Sequence, residues 1–368
     1  MEILKIVAPF PLENGQNLSE LEIAYCVYGE LNQKKDNVIW ISHGLTGNAD
    51  AADWWSGLVG EGKLFDPAKH FIICSNMLGS CYGTTGPASI NPSTKEAYGA
   101  EFPLITIRDM VKANIQLKEY LDIDRIHCGI GASMGGQLIT EWAINQPSVF
   151  EHICVIAANA QHSPWGIAFN EAQRMAIETG LKSGIPESEA VNLGLETARA
   201  IAMLSYRHYS TYKASQMEEQ NDKIDNFKAS SYQRYQGQKL RKRFNVYSYL
   251  RLSKAMDSHN VGRNRGGVEK ALANIQARAL VIGIQSDILF PVEEQQRLAK
   301  GIPDAKLEII NSQYGHDGFL VENDRITKVL AAFLTKRKWR KYNNYQLNNN
   351  NLAFLTPGRV SLPGTESF

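Results

Sequence analysis

The sequence predicts an α/β fold with a mostly parallel central sheet and one helical insertion. Three observations predict it. Short apolar runs rich in β-branched residues alternate with longer segments of helical period. The runs are apolar throughout rather than at every second position, which marks parallel strands covered on both faces. The alternation is broken once, between about 162 and 270, and then resumes.

In chain order, VIWIS at 38–42 and FIICS at 71–75 read as buried strands. Ile107, Val111 and Ile115 recur every four residues with charged and amide residues between them, the stripe of an amphipathic helix. RIHCGIGA at 125–132 is the next strand, and Leu138, Ile139 and Trp142 make one face of the helix after it. HICVIAA at 152–158 follows. The interrupting stretch is rich in Ala, Glu, Gln, Arg, Lys and Tyr and has no strand-like run, so it predicts several helices forming a lid. ALVIGIQ at 279–285 and KLEIINSQYGH resume the sheet, and strand–helix alternation implies right-handed crossovers. The Asn-rich and Pro/Gly-rich segment from about Lys338 has the composition of a disordered tail. The expected organisation is a core in two parts, 1–161 and 271–337, a lid at 162–270 and a tail at 338–368. A chain of 368 residues is long enough for one large domain carrying such an insertion.

Composition excludes several classes. Lys plus Arg is 39 against 38 for Asp plus Glu, a net charge of +1, without the basic excess of a nucleic-acid binder. No apolar run approaches the roughly 20 residues needed to cross a bilayer, so no membrane association is expected. The first segment, MEILKIVAPFPLENG, is broken by Lys5 and Pro9 and lacks a small-residue cleavage site, so it does not read as a secretory signal. The five cysteines, Cys26, Cys74, Cys81, Cys128 and Cys154, are odd in number and have no CxxC spacing. They read as reduced thiols of a cytoplasmic protein. A nucleophilic cysteine is the sharper alternative, and Cys81, in a Gly-rich loop, is its best candidate.

The strongest chemical signal is Gly131-Ala132-Ser133-Met134-Gly135-Gly136, a G-x-S-x-G between a strand and a helical pattern. That context is the nucleophile elbow of an α/β hydrolase. The turn is so tight that the flanking glycines must lack bulk. The following helix starts at the serine and points its free N–H groups at the reacting centre. The bland alternative is a Gly-rich turn with an incidental serine. A serine hydroxyl needs a base, and in this fold the partners follow in the order serine, acid, histidine. Asp287 ends the strand ALVIGIQSD, and His316 follows the next strand. Both lie at strand ends, where an open α/β sheet gathers its site. His43 precedes the serine, His70, His127 and His152 sit at strand starts, and His162, His208 and His259 fall at or within the insertion. For Asp287 a helix cap before PVEEQQRLAKGI is a fair competitor. Two backbone donors should hold the oxyanion: the N–H of Met134, after the nucleophile, and that of Leu45 in His43-Gly44-Leu45-Thr46-Gly47.

A Ser-Asp-His triad specifies acyl transfer and leaves the acceptor open. HGLTGNADAADWW, LGSCYGTTGPASINP, GASMGGQ, MLSYR, YLRLSKAMDS, SDILFP and GHDGFL resemble the homoserine O-acetyltransferase family, the α/β-hydrolase-fold homoserine O-acyltransferases of methionine biosynthesis. The resemblance spans about residues 10–335, insertion included. It implies transfer of acetyl from acetyl-CoA to the side-chain hydroxyl of L-homoserine by a ping-pong route, with acetyl-CoA as co-substrate and neither a bound cofactor nor a metal. By motif it implies that Ser133 is acylated, His316 acts as base and then acid, and Asp287 orients the imidazole. It also implies that Arg207 in MLSYR takes the substrate carboxylate and Asp317 its amine, and that a homodimer forms through the lid. The chemistry suits the residues, because a guanidinium fits a carboxylate bidentately and holding both ends leaves only the far hydroxyl free. The structural alternatives are a lid ion pair for Arg207 and a helix N-cap for Asp317. YQRYQGQKLRKRF at 232–244 is basic without an acid; it reads as a solvated face, or as a site for the phosphates of CoA. Succinyl transfer, a serine acceptor, or a simple carboxylesterase of the same fold are the competing activities, and a non-enzymatic binding module is disfavoured by an intact triad.

Overall fold

A computed structural model describes residues 1–182, 187–219 and 222–335. The expected tail at 338–368 lies outside the described residues. Residues 1–334 form one compact unit. It opens with β1 (Glu2–Ile6), a small hairpin of β2 (Phe10–Pro11) and β3 (Asn17–Leu18), β4 (Leu21–Tyr28) and β5 (Val38–Ser42). There follow α1 (Ala51–Trp54), β6 (Phe71–Ser75), α2 (Ile107–Tyr120), β7 (Ile126–Ala132), α3 (Met134–Asn145) and β8 (Phe150–Ile156). The insertion supplies α4 (Pro164–Leu181), α5 (Glu187–Tyr206), α6 (Tyr209–Gln216), α7 (Lys228–Arg241), α8 (Val246–Asp257) and α9 (Val268–Leu272). The chain closes with β9 (Arg278–Ile284), α10 (Val292–Gly301), β10 (Ala305–Ile310), α11 (Gly318–Val321) and α12 (Asn323–Thr335).

Eight strands form one sheet in the order β1-β4-β6-β5-β7-β8-β9-β10. From β6 to β10 every ladder is parallel. Every residue of β5 is buried, as its unbroken apolar run predicts. Trp142 of α3 packs edge-on to Trp40 of β5 at 4.9 Å and to Phe150 of β8 at 5.2 Å, so the helix after Ser133 is locked onto the sheet. The capping box of Thr106 and Asp109 starts α2, which buries Ile107, Met110, Val111 and Leu117. Ser163 accepts from Gly166 N–H and Pro164 follows it, a sharp start for α4 and for the inserted helices.

The antiparallel pair β1–β4 was not among the strands expected from the sequence. The reason lies in their pattern. In β4 Leu21, Ile23 and Tyr25 are buried, but Glu22 and Cys26 to Tyr28 are half-buried, and β1 buries only Leu4. These two strands, β1 at the sheet edge and β4 beside it, have one wetter face and lack a continuous apolar run. Between β8 and β9 the described residues hold helices and no strand, as predicted. Arg174 of α4 is buried and pairs with Glu171 and with Asp257 of α8, which ties two of the inserted helices together.

Candidate active site

Ser133 sits between β7 and α3 at φ 56° and ψ −127°, backbone that a non-glycine residue adopts only under strain. Tertiary packing holds it there. Ser133 N–H donates to Ile156 O at 2.9 Å. A Cβ on Gly135 would lie 2.1 Å from Ser42 O, so only glycine lets the first turn of α3 press against the end of β5. Ser133 is the N-cap of α3, yet its side chain makes no capping bond, so the hydroxyl is not spent on the helix.

Asp287 and His316 are brought together. Asp287 Oδ2 lies 2.6 Å from His316 Nδ1, while Oδ1 accepts the N–H groups of Leu289 (2.8 Å) and Phe290 (2.9 Å). The carboxylate is therefore fixed by its own loop, and it does not cap α10, whose N-cap is Pro291. With Nδ1–H donating to Asp287, the neutral ring presents Nε2 as a proton acceptor. Phe290 stacks on the ring at 5.2 Å, and Phe319 and Tyr206 pack around it at 5.4 and 5.7 Å. Burial pulls the imidazole down, but the charge and hydrogen bond of Asp287, with Asp317 adding, leave it raised above the ordinary value. Gly315, at φ +66°, lets the histidine loop meet the end of α5: a Cβ there would lie 2.9 Å from backbone atoms of Tyr206, Arg207 and His208. Ser133 follows β7 and His316 follows β10, at the same carboxyl edge of the parallel strands. Among the described residues Ser133 Oγ makes no hydrogen bond, and contacts of this kind often tighten only with substrate bound.

Leu45 is buried in a turn closed by Gly47 N–H to Gly44 O at 2.9 Å. His43 Nδ1 also meets Gly44 O at 2.8 Å, and Met77 N–H donates to His43 Nε2. Those two bonds require the neutral ring, and burial pushes His43 down to about 4. A Cβ on Gly44 would lie 3.9 Å from Ser133 Cβ, so this turn faces the serine. Met134 opens α3, and its N–H is one of the first four without an intrahelical acceptor.

Arg207 ends the run after α5, and its Nε lies 2.7 Å from Asp317 Oδ2. The two candidate substrate-binding residues thus meet one another beside His316. The contact is electrostatic rather than well aligned, since Nε–H has no hydrogen-bond acceptor in line. Burial raises the Asp317 carboxyl, with Arg207 opposing, and Asp317 makes no helix-capping bond. Cys81 is half-buried and burial raises its thiol, the opposite of an activated nucleophile. All five cysteines are free. Among the described residues one group, His127, Glu151 and His152, could approach a metal ion. It lies at the amino edge, where His152 spends one ring nitrogen on His127 O and the other on Arg278, a cation that opposes a second one. The acid missing from the basic run at 232–244 comes from α5, where Glu196 meets Arg241 at 2.9 Å. Tyr206, Phe290 and Phe319, the walls of the imidazole, were not singled out from the sequence. Each lies inside a segment of the resemblance, MLSYR, SDILFP or GHDGFL, and that was the signal available.

The α/β hydrolase fold family matches residues 37–323. A homoserine O-acetyltransferase of Cyclobacterium marinum is 48% identical over 332 residues, 90% of this chain and 94% of that protein. The crystal structure of a homoserine O-acetyltransferase from Staphylococcus aureus is similar at a TM-score of 0.77 and 26% identity, covering 93% of this chain and 97% of that one. The structure of esterase E22 is similar at a TM-score of 0.81 and 25% identity, covering 90% and 99%.

Proposed function

Because the chain belongs to the homoserine O-acetyltransferase family of α/β hydrolases, we propose that it transfers acetyl from acetyl-CoA to the side-chain hydroxyl of L-homoserine, the family's step in methionine biosynthesis. Ser133 gives its proton to His316 Nε2 as Oγ attacks the thioester carbonyl. The oxyanion is held by the N–H groups of Leu45 and Met134. The carbon–sulfur bond breaks, CoA leaves with the proton from His316, and an acetyl-serine remains. L-Homoserine then gives its hydroxyl proton to His316, attacks the acetyl group and releases Ser133 re-protonated. Asp287 holds the ring and supports the imidazolium between the steps. Arg207 and Asp317 take the carboxylate and the amine of the acceptor, exchanging their mutual contact for the two substrate charges. No bound cofactor is needed.

The observation that carries this reading over a plain esterase is the Arg207–Asp317 pair beside His316, a matched receptor for a zwitterion where an esterase needs none. The inserted residues 162–270 act as the lid over core segments 1–161 and 271–337 and keep water from the acetyl-serine. Exposed Leu204 and Tyr235 support a homodimer through that lid, and free thiols suit a cytoplasmic enzyme. Intact-mass measurement after mixing with acetyl-CoA tests the proposal. The wild type should carry an acetyl adduct that L-homoserine discharges, and Ser133→Ala should carry none. An adduct surviving in Ser133→Ala, or CoA release indifferent to homoserine, overturns it. Succinyl-CoA and L-serine as alternative donor and acceptor should be poor.

A further inference from the structure

Arg243 follows α7 in the lid, and its side chain reaches the oxyanion turn across 197 positions of sequence. Its Nη1 donates to Thr46 O at 2.7 Å and to Tyr82 OH at 2.7 Å. The same bend is fastened by Cys81 Sγ to Arg243 O and by Phe244 against the Tyr82 ring at 5.8 Å. Thr46 O belongs to a planar peptide whose other end is Gly47 N–H. That N–H donates to Gly44 O at 2.9 Å. Gly44 O in turn belongs to the peptide whose other end is Leu45 N–H. A guanidinium at one end of this two-peptide chain therefore fixes the direction of the Leu45 N–H at the other. Its charge also polarises both amides towards stronger donation. His43 holds Gly44 O from the core side, so the turn is gripped by core and lid alike.

We propose that Arg243 is a positioning residue that completes the oxyanion hole from the lid, so that the hole has its full strength only when the lid is seated. The inference rests on the proposed acylation of Ser133. Losing an oxyanion donor outright costs about 10²–10³ in rate, and a donor left in place but unaligned should cost less, about tenfold. The test compares acylation rates with two donors, acetyl-CoA and p-nitrophenyl acetate, in wild type, Arg243→Ala and Arg243→Lys. Arg243→Ala should acylate about tenfold more slowly with both donors at saturating concentration, with its melting temperature retained. Millimolar guanidinium should restore part of that loss, and Arg243→Lys, which keeps the charge and one donor, should lie between. A loss confined to acetyl-CoA would make Arg243 a CoA contact and overturn the proposal. An unchanged rate with both donors would overturn it as well. If Arg243→Ala does not fold, Arg243→Lys with wild-type rates would do the same. A wild type that p-nitrophenyl acetate acylates and acetyl-CoA does not would sink the acetyltransferase reading instead and leave this test intact.

Discussion

At the carboxyl edge of the sheet the buried imidazole of His316 faces a carboxylate; at the amino edge the buried imidazole of His152 faces a guanidinium. His316 Nδ1 is 2.6 Å from Asp287 Oδ2, and its pKa is raised although burial alone would lower it. His152 Nε2 is 3.2 Å from Arg278 Nη1, and its pKa is lowered, chiefly by burial; the exposed carboxylate of Glu151 opposes that without overcoming it, and the charges of His127 and Arg278 add to the lowering. His43 and His162, buried without a carboxylate partner, fall to about 4. Burying an imidazole thus makes it neutral and inert by default. It becomes a base of useful strength only where a carboxylate, itself pinned by two backbone N–H groups, is buried with it.

Erasing the difference should have the largest effect. Asp287→Asn makes the carboxyl edge resemble the amino edge, and acylation by acetyl-CoA should slow by about 10⁴-fold, the general cost of losing the acid of such a triad. The pH profile of what remains should move as well. His316 must be neutral to accept a proton, so its raised pKa sets an acid limb above the ordinary imidazole position. Without Asp287 burial dominates and the limb should shift to lower pH; a limb that stays in place would assign it to another group.

A smaller change sharpens the contrast from the substrate side. Asp317→Asn should lower kcat/KM for L-homoserine about tenfold to a hundredfold, the worth of one hydrogen bond to a charged group. Acylation by acetyl-CoA in a single turnover should respond much less. Equal effects on both half-reactions would make Asp317 structural. The amino edge should yield the smallest effect. His152→Asn strands the bonds to His127 O and Arg278 and should destabilise the fold by about 1–2 kcal/mol in denaturant unfolding. Its kcat should be unchanged, and a marked loss of kcat would show that the two edges are coupled.

The parallel strands were legible because burial on both faces writes an unbroken apolar run, as in VIWIS and FIICS. The antiparallel β1 and β4 were not, since Lys5 and Glu22 belong to faces only half covered. Ser133, Asp287 and His316 could be picked out because strand ends mark them and chain order restricts the choice. The contact between Arg207 and Asp317 has no signature of spacing; the resemblance pointed to both residues without saying that they touch. Arg243 was visible only as one of several basic residues in a run, because its partners, Thr46 and Tyr82, lie far away in sequence and hold it through one backbone oxygen and one phenol.

The contact of Gly135 with the end of β5 makes the proposed pair of oxyanion donors unequal partners. Met134 rides on a helical turn jammed against the Ser42 carbonyl, with no clearance even for a methyl group, so that donor is as immobile as the sheet. Leu45 hangs from a short turn tethered by a few polar links. Any shift in where the carbonyl oxygen is seated must therefore come through the Leu45 side, with the Met134 side serving as the fixed anvil.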